Sequence, residues 1–168
     1  GRAEDLPVGD GEADVVLSVF GVIFSGDPSR AAAELVRAAR PGGTLALTAW
    51  VPAGAISEAG AALWEALSGR RYGAGPWGGP DGIRDLLTGA GARDVQVRRE
   101  SLPFTAASPA AWLADQEDHH PVWRAARGAL GDRYAPVHDR MLDLLVRGNE
   151  DPAAFRATSG YWSVRATR

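Results

Sequence analysis

The chain has 168 residues, 45% hydrophobic and 23% charged, which suits one soluble globular domain with a sizeable core. A net charge of −3, with arginines scattered along the sequence, argues against a nucleic-acid face, and the lack of Cys excludes disulfides and thiolate metal sites. No apolar run is long enough for a bilayer and no signal-peptide pattern opens the chain, so no membrane partner and a cytoplasmic location are expected.

All 18 basic residues are Arg, and Ala and Gly are abundant. This compositional bias removes weight from any argument built on Gly or Arg counts alone.

Residues 1–12 read as a loop, with turn signals at Leu6-Pro7 and Gly9-Asp10-Gly11. Asp14 to Phe24 is an almost unbroken apolar run rich in β-branched residues, the pattern of a strand buried on both faces of a parallel sheet. Asp27-Pro28 then caps a helix that runs to Arg40, Pro41-Gly42-Gly43 stops it, and Thr44 to Trp50 resumes as a second strand. Together they form one βαβ unit, expected to cross over right-handed.

A helix is predicted over 57–68 with a capping-type start at Ser57, followed by a Gly- and Arg-rich loop at 69–79 that holds Tyr72 and Trp77. Pro80 to Leu87 opens another helix, ended by Gly89-Ala90-Gly91, and 94–100 alternates as a half-exposed strand does. A mostly helical region follows from Ser108 to about Arg147. Asn149 to Pro152 breaks it, a short helical turn comes next, and 161–166 closes as a strand. The strands supply only part of the pairing that a central first strand needs, so one edge of that strand should be unpaired. The chain therefore reads as the later part of a larger α/β domain.

In this order the motifs resemble a known family, the class I S-adenosylmethionine (SAM)-dependent methyltransferases, in particular bacterial small-molecule ones. Ala3-Glu4-Asp5-Leu6-Pro7 with Asp10-Gly11 resembles the family's approach to its fourth strand, and Asp14 to Phe20 resembles that strand. Arg37-Ala38-Ala39-Arg40-Pro41-Gly42-Gly43-Thr44-Leu45 resembles the turn into the fifth, and Gly91 to Val95 the start of the sixth. The resemblance implies a Rossmann-like three-layer α/β fold with a helical lid insertion and an antiparallel last strand. Residues 1–106 would be a partial core, 107–157 the helical lid and acceptor region, and 158–168 the final strand returning to the core sheet.

The family's Gly-rich loop and ribose-binding acid have no counterpart in these residues, and Arg2 stands where the adenine-side Asp is expected. The expectation is one wall of a cofactor crevice, with SAM held poorly by these residues alone.

By resemblance, Ser18, Val19 and Phe20 would line the methyl-donor pocket, and Ala3 and Glu4 would flank the adenine through backbone groups. His119 and His120 fall in the lid, where a His is the usual general base for a hydroxyl; the plain alternative is a solvated helix end. His138 reads as a surface residue, and no histidine spacing suits a metal. Trp50, Tyr72 and Trp77 are the candidates for binding a flat acceptor.

The leading expectation is a SAM-dependent methyltransferase of secondary metabolism acting on a small hydroxyl or aromatic acceptor. The alternative is a truncated relative without SAM, acting as a dimerising or partner-binding module or as a cofactor-free cyclase-type enzyme. Self-association into a homodimer through the unpaired edge belongs to that alternative. A nicotinamide oxidoreductase shares the layered plan, but the chain has no Lys and so no Tyr-x-x-x-Lys pair.

Overall fold

A computed structural model describes residues 1–168. They form two compact units, one of residues 1–51, 74–100 and 161–168, the other of residues 52–73 and 101–160.

The first unit is built on a four-stranded sheet of order β1-β2-β4-β3, with β1 at Ala13–Val19, β2 at Ala39–Trp50, β3 at Arg93–Ala106 and β4 at Phe155–Thr167. β3 and β4 give residues 93–100 and 161–167 to this unit and the remainder to the other. β1 and β2 pair in parallel, and β2 and β4 antiparallel, which is the arrangement the family resemblance implied. Helix α1 (Pro28–Ala38) forms the crossover; the Asp27 side chain accepts the Arg30 N–H at 3.0 Å and Pro28 occupies the first turn, as the sequence indicated.

The crossover ends two residues earlier than expected, because Ala39 already pairs with Ala13. Register then jumps to Val15–Thr44, and Arg40 to Gly43 bulge between the two pairs. A Cβ on Gly43 would lie 2.8 Å from the Arg40 carbonyl oxygen and 3.1 Å from that of Asp14, so the bulge closes only around glycine.

Leu45, Leu47 and Ala49 of β2 point to one face with Val164 and Ala166 of β4. That face buries Ala31, Ala32, Leu35 and Val36 of α1 and Ile83 and Leu87 of α3 (Pro80–Gly89). Each fully buried Leu or Ile there stabilises the fold by roughly 1.5–3 kcal/mol. The opposite face differs. Val15, Leu17 and Val19 are 60%, 67% and 61% exposed, so β1 is not covered on both faces as its apolar run suggested. It is also an edge strand, as expected from the shortage of partners.

The second unit holds α2 (Ala55–Ser68), α4 (Pro109–His119), α5 (Pro121–Leu130) and α6 (Tyr134–Arg147). Its core joins Leu63, Leu113, Met141 and Leu145 to an aromatic group in which Trp112 lies 5.7 Å from both Trp123 and Phe155. α2, read from sequence as part of the sheet core, belongs with these helices. It starts at Ala55 behind Gly54 with no side-chain cap, not at a Ser57 cap. The turn expected after Pro152 is not helical, and β4 begins at Phe155 rather than near 158–161. Neither unit contains a helix long and apolar enough to cross a membrane.

Candidate functional site

Parallel pairing brings the carboxyl ends of β1 and β2 side by side, and in open α/β sheets that end is where ligands sit. Phe20, the first residue past β1, has φ +50, a left-handed conformation that costs a non-glycine residue roughly 1–2 kcal/mol. Two hydroxyls hold the turn. Thr48 Oγ1 accepts the Phe20 N–H at 3.0 Å, and Ser18 Oγ accepts the Val22 N–H at 3.0 Å.

So held, the Phe20 ring stacks on Trp50 with centroids 3.8 Å apart and planes 10° from parallel. Tyr161 is the register partner of Trp50 on β4, and it meets Phe20 and Trp50 edge-on at 5.7 and 6.3 Å. All three rings are half-buried. Thr48, Trp50 and Tyr161 lie on the exposed face of the sheet, the one that carries Leu17 and Val19.

The residues expected near the adenine have another occupation. Glu4 is buried; its Oε1 accepts the N–H of Gly26 at 2.6 Å and of Asp27 at 3.2 Å, and its carbonyl accepts Arg30 Nε at 2.8 Å. Its own backbone N–H and that of Asp27 hold the carboxyl down to about 2, helped by Gly26 and Arg2. Ala3 packs partly buried against the same core. Within α1, one turn beyond Arg30, Glu34 accepts from Arg37 Nε and Nη2 at 2.7 and 2.8 Å and from the Leu6 N–H at 2.8 Å. Arg37 in turn reaches the Val8 carbonyl and Asp10.

Of the other sequence candidates, Trp77 is 1% exposed within the core, its indole N–H directed at Ser25 Oγ at 3.4 Å. It is packing, not pocket wall. Tyr72 is exposed and belongs to the helical unit, so it does not join Trp50 in one unit. His119 and His120 are both exposed where α4 gives way to α5; His119 Nδ1 lies 3.0 Å from Asp115, and His120 packs edge-on to Trp123. The geometry there is that of a solvated helix end.

The helical unit carries a cluster that the sequence reading did not select. Glu117, Tyr134 and His138 line an open cleft of about 610 Å³ with Arg127, Asp132 and Asp139. The Tyr134 hydroxyl donates to Glu117 Oε1 at 2.5 Å, and His138 Nε2 is 3.7 Å from the same oxygen. Burial, then the Glu117 carboxylate, pushes the Tyr134 phenol up beyond its usual range. No cluster of His, Asp or Glu has the makings of a metal site.

The methyltransferase-domain family matches residues 1–47, which take in the Glu4 loop, β1, α1 and the first part of β2. Residues 1–47 thus match part of a methyltransferase domain. Two uncharacterised proteins of Mycobacterium tuberculosis are similar to this methyltransferase segment, one 49% identical over 49 residues and the other 45% over 53. The chain spans only 18% and 19% of their lengths, and those matches cover 29% and 32% of it.

The solved structures extend the fold match to the rest of the chain. A candidate methyltransferase of Bacillus halodurans aligns with 99% of it at a TM-score of 0.59 and 17% identity, and the YcgJ protein of Bacillus subtilis with 100% at 0.59 and 15%. Each alignment covers 69% of the other chain. The [4+2]-cyclase SpnF aligns with 100% at 0.52 and 20% identity, over 55% of its own length. The fold is thus a partial methyltransferase Rossmann-like sheet with helices, as the motifs implied.

Two site residues escaped the sequence reading. Thr48 sits mid-strand with no motif of its own, and Tyr161 acquires its place only through the antiparallel register with Trp50.

Proposed function

We propose that the chain is the acceptor-side part of a SAM-dependent methyltransferase that methylates a small aromatic or hydroxyl-bearing acceptor in the cytoplasm, in secondary metabolism. The observation that carries this reading is the Phe20–Trp50–Tyr161 cluster at the carboxyl ends of strands arranged as in methyltransferase folds. Ser18 to Phe20 fit one wall of the donor crevice. Glu4 fits less well, since its carboxylate and carbonyl are both committed to the loop before α1 and to Arg30.

SAM, when bound, supplies an electrophilic methyl group on a sulfonium. The work left to the protein is to orient the acceptor in line and to exclude water. The ring cluster does the first by offering a flat apolar surface. The hydroxyl proton passes to solvent. No buried base is required by this reading.

Transfer of labelled methyl from SAM to 2-naphthol by the full-length protein tests the proposal. Label in the naphthyl ether supports it. Neither label nor calorimetric heat on titration with SAM overturns it.

A second reading has its own support. The likeness to the [4+2]-cyclase suits a protein that uses the fold as a cyclase-type enzyme.

A further inference from the structure

The helical unit holds a carboxylate that the reading above does not use. Glu117, near the end of α4, has a side chain only 11% exposed. One of its oxygens, Oε1, accepts from the Tyr134 hydroxyl of α6 at 2.5 Å, and Tyr134 is itself buried. The His138 imidazole, one turn further along α6, stands 3.7 Å from that same oxygen, beyond hydrogen-bond reach. The other oxygen, Oε2, has no protein donor. No buried polar side-chain atom of the chain is left without a partner, so Oε2 is open to the cleft that Glu117 lines.

A carboxylate so far withdrawn from water is unfavourable unless a cation is bonded to it, and one phenol on one oxygen compensates only in part. The cleft around it, about 610 Å³, sets three carboxylates, Glu117, Asp132 and Asp139, against one guanidinium, and Arg127 forms no ion pair with any of them. No grouping of His, Asp and Glu there is suited to a metal ion. We infer that this cleft binds the ammonium group of a small organic amine, with Glu117 as its anchor. Tyr134 holds Oε1 and leaves Oε2 to accept from the ammonium, in the charge-assisted bond that a part-buried carboxylate makes most strongly. The site lies wholly within the helical unit, so it stands apart from the methyl-transfer reading and neither depends on the other.

The experiment is titration of the full-length protein with butylamine, without SAM, followed by calorimetry and by backbone amide NMR shifts. It is run at about pH 8, where butylamine is charged and an ordinary imidazole is neutral. Butan-1-ol serves as the uncharged analogue. The expected result is butylamine binding by the wild type, with butan-1-ol weaker by roughly tenfold or more. Glu117→Gln keeps an acceptor for the Tyr134 hydroxyl and deletes the charge, so it should fold normally and bind butylamine roughly tenfold more weakly.

If Glu117→Gln fails to fold, the wild-type shifts decide: they should centre on Glu117, Tyr134 and His138 with butylamine and be absent with butan-1-ol. Absence of butylamine binding by the wild type overturns the site. So do equal binding by Glu117→Gln, and shifts spread over surface carboxylates outside the cleft.

Discussion

Glu4, near the start of the chain, holds the backbone of Gly26 at 2.6 Å across the head of the α1 crossover. With Glu34, whose carboxylate binds Arg37 and the Leu6 N–H, it ties the first loop to the sheet unit. Both carboxyls are lowered from 4.5 to about 2, Glu4 first by its own N–H and that of Asp27, Glu34 first by Arg37. The unfolded chain binds more protons than the folded one between those values, so the stabilisation is complete above 4.5 and is lost as the pH falls through 2. Urea melts from pH 7 down to pH 2 should show that loss, and Glu4→Gln and Glu34→Gln should each flatten it.

Glycines at two positions should respond to alanine with opposite signs. Gly43→Ala places a Cβ 2.8 Å from one carbonyl oxygen and 3.1 Å from another, and should cost about 1–3 kcal/mol. Gly60, inside α2 with open space around it, should gain about 0.5–1 kcal/mol as alanine. Denaturant melts of the two variants check both.

Much of this was legible in the sequence, and the limits have physical causes. The Asp27-Pro28 cap and the two apolar runs are local signals and gave the crossover, while the ordered motifs gave the family resemblance. The apolar run Val15 to Val19 was read as covered on both faces because composition records what a strand could bury, not what lies against it. The same limit misplaced Trp77: a loop aromatic between glycines looks like a pocket residue until Ile83 and Leu87 of α3 close over the same core. The ring cluster was half visible. Phe20 and Trp50 end recognisable strands, whereas Thr48 and Tyr161 depend on long-range register, which no short sequence window holds.

In the helical unit, Tyr134→Phe removes the bond to Glu117 at 2.5 Å and should destabilise by about 1.5–3 kcal/mol. A spectrophotometric titration should show one tyrosine ionising late, above the ordinary phenol range, because burial and the Glu117 carboxylate oppose the phenolate. That late step should vanish in the variant.

Hydrogen exchange of the full-length protein, read by mass spectrometry with and without SAM plus 2-naphthol, tests the placement of the site most directly. Methyl transfer at the carboxyl ends of β1 and β2 requires slower exchange in peptides containing Ser18 to Phe20 and Thr48 to Trp50. Slowing confined to the helical unit, or no slowing with either ligand, would contradict it.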